Sequence, residues 1–492
     1  MKEKLIEMLN KYKNRAVQRK EAHNLLPRPL NEEEVRVIIQ GLTLDNLDQE
    51  SFVVFEKEPL DKLLIRLLSN EVKRGTFPSS YAKAEGLACF IRGELKSNYL
   101  SVEQALDILK EMKGGAASVQ LVQLLEEGLF RAEIIEILKE TVLVNKKEFD
   151  KLTELIVGNE SIEKLIKYWA EKGFADTWQI DDIYNGISIK VGDNITTGHL
   201  SPSKNADSRT DQPRHALYIM DGREDEADFL DRLAELQKKG KDIFFTAGEA
   251  LGEGSSRKSA TYTMLQVLGK PLEGEPEKKQ GGVVLAKSMA PIFKNSLIAS
   301  GILPILCNTD EINEGDKLKV DLNSKKVIVN DNIQIEIELP IEYQMNKIAA
   351  GGMNYFDAGN ELQKWAAEYC YENNINFDRN RLSVEEAGES KDKKTQSGAN
   401  LAQTLAQKIV ALNRVDGKET IIPGETAEVK IRGVFSQDTT GPMTIEEYQA
   451  MSGGQFGAEF VVQSLCHTGE CPSSEDRAKH SYMDEFITER GG

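Results

Sequence analysis

The chain has 492 residues, 40% of them hydrophobic and 29% charged, and a formal net charge of −18. That length exceeds what one core organises and sets an expectation of roughly three domains, at about 100–200 residues each. The acidic balance argues against a general nucleic-acid or anionic-membrane binder, and no apolar run approaches the length of a bilayer span. The five cysteines, odd in number and widely scattered, do not look like a disulfide framework. The charged opening, Met1 to Leu5, has no signal-peptide core, so a reducing cytoplasm is the expected compartment.

The pattern over residues 1–165 is helix after helix. Leu60, Leu63, Leu64, Leu67 and Leu68 recur at helical spacing, as do Ala105, Leu106 and Leu109 and then Ile134, Ile135, Ile137 and Leu138. Ser101 with Gln104 reads as a capping box, and Asn31 with Glu34 as a weaker one. Gly75, Gly114, Gly115 and Gly128 fall where helices should stop. Short helices joined by tight turns predict stacked αα-hairpins, a solenoid of HEAT-like type. The leucine stripes are core, and this region receives no catalytic role.

Residues 166–382 alternate between strands and helices. Ile187–Val191 alternates like a half-buried strand, Val283–Ala286 is a buried strand candidate, and Leu318–Leu322 with Val327–Val329 around Asn323 and Ser324 predicts a hairpin. Ile333–Leu339 alternates as well. Residues 383–399 are charged, poor in apolar side chains and read as an exposed linker. A helix over Leu401–Leu412 then opens residues 400–492, which are few for an independent α/β unit and predict an incomplete domain or a missing partner.

The most informative stretch is Gly252-Glu253-Gly254-Ser255-Ser256-Arg257, after an apolar strand at Asp242–Ala247 and before a helix over Lys258–Gly269. Glycines let backbone approach a ligand, and the first turn of a helix offers unpaired N–H groups to an anion. Arg257 adds a fork that grips a carboxylate in two places. This composition points to a polycarboxylate site with a serine at the reacting carbon. Taken alone, the same residues also suit a tight strand-to-helix turn with a serine N-cap.

Two further motifs accompany it. One is Thr196-Thr197-Gly198-His199-Leu200-Ser201-Pro202 followed by Ser208-Arg209-Thr210-Asp211. The other is Ser436-Gln437-Asp438-Thr439-Thr440-Gly441-Pro442-Met443-Thr444, with Cys466-His467-Thr468 downstream. In this order the three closely resemble the N-terminal half of the bacterial aconitase B family, whose members act as aconitate hydratases and 2-methylisocitrate dehydratases. Ala290–Phe293 and Gly301–Ile305 also look like that family's swivel domain.

The resemblance implies a HEAT-like helical domain over 1–165, a swivel-type β/β/α domain over 166–382, and over 400–492 only the start of the cluster-bearing α/β core. It implies that Ser255 is the base that moves the substrate proton and that Ser256, Arg257 and Arg209 bind substrate carboxylate. Gln437, Asp438 and Thr439 match the substrate-contacting Gln-Asp-Thr, and His467 the histidine that assists departure of the hydroxyl. The implied ligands are citrate, cis-aconitate and isocitrate, with 2-methylisocitrate as an alternative. The implied cofactor is a 4Fe-4S cluster held by three cysteines. Cys89, Cys307, Cys370, Cys466 and Cys471 do not match those ligands, so no metal site is assigned to this chain. The chain departs from the family pattern Thr-Asp-Asp-Leu-Ser-Pro at Gly198 and His199, where acidic residues are expected.

The expected function is therefore an aconitate hydratase in truncated or split form, inactive alone, that supplies the substrate-binding half. It would dimerise through the helical domain or join a second chain carrying the cluster. The alternative is a non-catalytic module that binds tricarboxylate, RNA or protein, with the net charge weighing against RNA.

Overall fold

Leucine stripes build the first part of the structure, a computed structural model that describes residues 1–379, 403–423, 425, 427, 429–451, 456–470 and 473–491. Helices run from Lys2–His23 through Leu60–Asn70 and Pro78–Arg92 to Glu160–Ala170, and a small hairpin, Ser51–Val53 with Lys57–Pro59, interrupts them. Leu60, Leu63, Leu64, Leu67 and Leu68 all lie on the buried face of their helix. Both capping boxes form: Asn31 Oδ1 accepts from the Glu34 amide at 3.0 Å, and Ser101 Oγ accepts from the Gln104 amide at 3.1 Å. Each such cap contributes about 1 kcal/mol.

The helical core is continuous and draws on residues far along the chain. Phe149, Trp169 and Phe174 share it with Leu362, Ala366 and Cys370 of the helix Met353–Glu372. The Phe149 ring lies 6.3 Å from Trp169 and 5.9 Å from Trp365. The late helix returns here because Leu362, Ala366 and Cys370 recur every four residues, a stripe that only an apolar partner can cover.

The next strands close into a barrel. They are β1 (Ile183–Lys190), β2 (Asp242–Ala247), β3 (Val283–Ala286), β4 (Leu303–Cys307), β5 (Lys317–Asp321), β6 (Lys326–Val329) and β7 (Ile333–Glu338), in the order β6-β7-β4-β3-β2-β1-β5. The first four pair in parallel, while β5, β6 and β7 are antiparallel and contain the expected hairpin. Alternate residues serve different layers. Phe244, Leu285, Ile305, Val320 and Val327 pack in one cluster. Ile187, Ile243, Phe245 and Val284 pack in another, against Phe229, Met264 and Phe293 of the covering helices. Strands with both faces covered read as continuous apolar runs, which is why β2 and β3 stand out in the sequence.

The chain divides into two compact units, Met1–Leu382 with Gln449–Gly453, and Ser383–Tyr448 with Gly454–Gly492. The predicted linker over 383–399 and Cys471 lie outside the described residues. In the second unit the expected helix spans Leu405–Leu412, with Thr404 as its capping residue; Leu401 is outside the description. Strands β8 (Gly433–Gln437) and β9 (Phe460–Ser464) pair in parallel, with Gln437 opposite Ser464. A small core of Ile445, Met483 and Phe486 supports them. Phe435 remains 72% exposed, so this sheet lacks the cover that parallel strands ordinarily have.

Candidate anion-binding site

The carboxyl ends of parallel strands are where loops converge in α/β sheets. Here the chain leaving β1 meets the loop after β2: the Gly252 amide donates to the Ile195 carbonyl at 2.7 Å, and the Thr197 amide to the Glu253 carbonyl at 2.8 Å. The approach demands glycine twice. Gly252 sits at φ +85, where an added Cβ would lie 2.1 Å from the Phe293 ring. Gly254 sits at φ +123, where a Cβ would lie 2.4 Å from Thr197 Oγ1.

This loop delivers Ser255, exposed, then Ser256 and Arg257 at the start of the helix Arg257–Leu268. Ser256 occupies the N-cap position, but its side chain does not cap the helix. Its hydroxyl accepts a hydrogen bond from Arg209 Nη2 at 3.1 Å instead. A plain serine-capped turn would have that hydroxyl bonded to the first turn of its own helix, and here it is not. Arg257 Nη1 donates to the Gly254 carbonyl at 3.3 Å, folding that guanidinium back over the same loop.

Arg209 is 7% exposed, and its Nε is buried without an acceptor. No ion pair to Arg209 occurs among the described residues. Burial alone lowers its proton affinity from the ordinary value. A buried guanidinium with no carboxylate partner is costly unless an anion completes it. The structure brings Arg209 to Ser256, with Arg257 next in the chain.

His215 was not singled out from the sequence, because a lone histidine carries no spacing signal. It lies buried on the short helix Gln212–Ala216, its Nδ1 2.8 Å from Ser208 Oγ and its Nε2 2.7 Å from Ser201 Oγ. Ser201 Oγ lies 2.7 Å from Ser259 Oγ, which donates to the Ser256 carbonyl at 3.1 Å. With the proton on Nε2, each donor of this chain has an acceptor, and the chain ends on the loop that bears Arg257. Burial, then the positive charge of Arg209, push the His215 ring down to about 4. The ring is thus neutral near pH 7.

His199 occupies the position where the family pattern has an acid. Its Nδ1 accepts from the Thr196 amide at 3.1 Å, and Thr196 Oγ1 accepts from the His199 amide at 3.3 Å. The neutral imidazole does the capping that a carboxylate would do at this place.

The second unit holds the remaining candidates. Asp438 is buried, and its carboxylate accepts from the His467 amide at 2.9 Å, the Thr468 amide at 2.7 Å, the Thr468 hydroxyl at 2.9 Å and the His467 ring at 3.2 Å. Burial opposes its ionisation, but these donors, Thr468 foremost, outweigh burial and hold the carboxyl below its ordinary value. Asp438 is thereby committed to orienting His467, whose side chain is 58% exposed. Gln437 Oε1 accepts from the Thr439 amide at 2.8 Å and its hydroxyl at 2.7 Å, and Gln437 Nε2 donates to Thr440 at 2.9 Å.

Cys466 Sγ, His467 and Asp438 place one ligand atom each within 4.8 Å of one another. The hydrogen bonds already made by Asp438 account for that cluster without an ion. Cys89 and Cys370 lie on two helices, Cys307 on β4, and Cys466 in the loop after β9. Burial pushes the Cys307 thiol up to about 12 and the Cys370 thiol up to about 11.

Known proteins match this chain along nearly its whole length. Residues 11–174 match the family described as the aconitate B N-terminal domain, and residues 187–387 the aconitate hydratase 2 N-terminus. Aconitate hydratase B of Helicobacter pylori is 30% identical over 489 residues, 99% of this chain and 54% of that protein. The Escherichia coli aconitate hydratase B is 29% identical over 496 residues, again 99% of this chain and 54% of that protein. The 3-isopropylmalate dehydratase small subunit 2 of Archaeoglobus fulgidus is 34% identical over 170 residues, 34% of this chain and 89% of that protein. The chain spans about half the length of the aconitate hydratases it matches. With both N-terminal domains matched in order and about 30% identity along 99% of its length, the chain belongs to the aconitase B family and corresponds to its N-terminal half.

Proposed function

We propose that this chain is the tricarboxylate-binding half of an aconitase-type hydro-lyase, acting on citrate, cis-aconitate and isocitrate, with 2-methylisocitrate as an alternative substrate. The observation that carries the reading is Arg209: buried, lacking an ion pair among the described residues, and bonded to Ser256 beside Arg257. Citrate brings carboxylates that complete two guanidinium groups and a helix N-terminus at once. Ser255 stands exposed on the same loop, where an alkoxide would take the proton next to a carboxylate, and the cationic loop stabilises the charge that develops. His467, oriented by Asp438, is the group that assists the departing hydroxyl.

In the family that this chain resembles, the Lewis acid that helps expel hydroxide is a 4Fe-4S cluster, and in this reading its ligands are not on this chain. The chain alone therefore binds without turnover. A second polypeptide, or further sequence, supplies the cluster. In this reading residues 1–165 form a HEAT-like domain that also mediates self-association, 166–382 the swivel, 383–399 a linker and 400–492 the start of the core. The protein works in the cytoplasm. Among the described residues, no helix is long and apolar enough to cross a membrane.

Calorimetry with citrate tests the reading. Wild type should bind, and Arg209→Met and Arg257→Met should each weaken binding about ten- to a hundredfold, as expected for losing charge-assisted hydrogen bonds. Absence of citrate binding by the wild type, or binding untouched by both substitutions, would refute it.

A further inference from the structure

The first helix reaches the anion site through a carboxylate. Arg19, on Lys2–His23, has a side chain only 10% exposed. Its Nη1 donates to Asp211 Oδ2, and its Nη2 donates to Asp211 Oδ1 and to Glu277 Oε1, each at 2.8 Å. Its Nε donates to the Leu26 carbonyl at 2.6 Å. Arg28 approaches the same two carboxylates, 3.3 Å from Asp211 and 3.7 Å from Glu277. Two cations and two anions thus form a nearly closed, neutral group between the first helix and the barrel.

Asp211 belongs to the turn that carries Arg209. Its amide donates to the Ser208 carbonyl at 2.8 Å, its carboxylate accepts from the Arg214 amide at 3.3 Å, and its carbonyl accepts from the His215 amide at 2.8 Å. Asp211, two residues along the chain from the buried guanidinium of Arg209, is a carboxylate close to it in sequence. Both its oxygens are taken by Arg19, and no ion pair to Arg209 occurs among the described residues. The geometry has two consequences: the turn is pinned, and the charge on Arg209 is left open.

We propose that Arg19 is a positioning residue of the anion site, which holds Asp211 so that Arg209 stays in place and remains without an internal counter-ion. The proposal rests on the reading of Arg209 as a carboxylate-binding residue. It assigns to the helical region a part in substrate affinity as well as in architecture. The fork of an arginine is required, because one planar group must satisfy both oxygens of Asp211 and reach Glu277.

The test uses the full chain and citrate calorimetry. Arg19→Gln should raise the citrate Kd about tenfold or more, because the freed carboxylate competes for Arg209. The double variant Arg19→Gln/Asp211→Asn should recover most of that loss, since the competitor is gone. A mere brace predicts no recovery, and that result would overturn the proposal. Should Arg19→Gln fail to fold, Arg19→Lys keeps the charge without the fork, and a smaller loss with the same rescue by Asp211→Asn is expected. A crystal structure of the Arg19 variant decides without any ligand. Asp211 turned onto Arg209 supports the proposal, and Asp211 still facing Arg28 and Glu277 overturns it. Failure of the wild type to bind citrate would count against the tricarboxylate reading, while the crystallographic result would still decide the part played by Arg19.

Discussion

Replacing His215 by glutamine gives the most direct test of how the site is held. The wild-type ring is 2% exposed and bonded at both nitrogens, to Ser201 at 2.7 Å and Ser208 at 2.8 Å. Burial and the neighbouring Arg209 push it down to about 4, from an ordinary value near 6.5. Asp207 and the Asn205 backbone oppose that shift and are outweighed. The unfolded chain therefore takes up a proton below pH 6.5 that the folded ring refuses until about pH 4. Stability is complete above pH 6.5 and is lost as pH falls through that window, by about 3 kcal/mol at 1.36 kcal/mol per unit of difference. His215→Gln removes the titration. At pH 8 the variant loses the two ring hydrogen bonds, about 1 kcal/mol each. The gap between wild type and variant should thus shrink from about 2 kcal/mol at pH 8 to nothing, or reverse, near pH 4.5. Hydrogen exchange resolved to the peptide over 196–216, corrected for intrinsic rates, measures the gap. Parallel curves across this range, or a His215 resonance titrating near 6.5, would refute the reasoning.

Gly254→Ala should destabilise the loop by about 2 kcal/mol or more, because its φ of +123 and the 2.4 Å approach to Thr197 leave no room for a Cβ; thermal melts with and without citrate report it. Asp438→Asn removes the charge that four donors serve, so the second unit should lose about 2–3 kcal/mol in urea unfolding, with His467 chemical shifts moving even where the fold survives. Burial pushes Glu71 up to about 7, so its favourable contribution is complete below pH 4.5 and lost as pH rises through 7. Glu71→Gln should therefore gain about 3 kcal/mol over wild type at pH 8 and little at pH 4.5; an equal gain at both would show that the carboxyl is not desolvated.

Much of the fold was legible because its signals are local. The leucine stripe at 60–68, the boxes at Asn31 and Ser101, and the apolar runs of β2 and β3 each follow from periodicity or from a side chain bonding its own backbone. The helix Met353–Glu372 could be foreseen as amphipathic, yet its partner could not. Leu362 and Ala366 close the core of helices nearly two hundred residues earlier, a choice made by shape and not by pattern. Among the described residues of 400–492, nothing in the local pattern showed that Phe435 would stay exposed or that Ile445, Met483 and Phe486 would cluster.

The chemistry divides in the same way. Sequence alone named the candidates for binding a polyanion: glycines that admit backbone, serines, and Arg257 at a helix start are properties of residue type and immediate order. Tertiary structure decided which charges stay free. Asp211 and Arg209 stand two places apart in the chain, and nothing in their order says that Arg19 holds the first and leaves the second unpaired. Nor does order reveal that Ser201, His215 and Ser259 connect behind the loop. Counter-ion choice depends on distance and burial, which the packing of the first helix on the barrel sets.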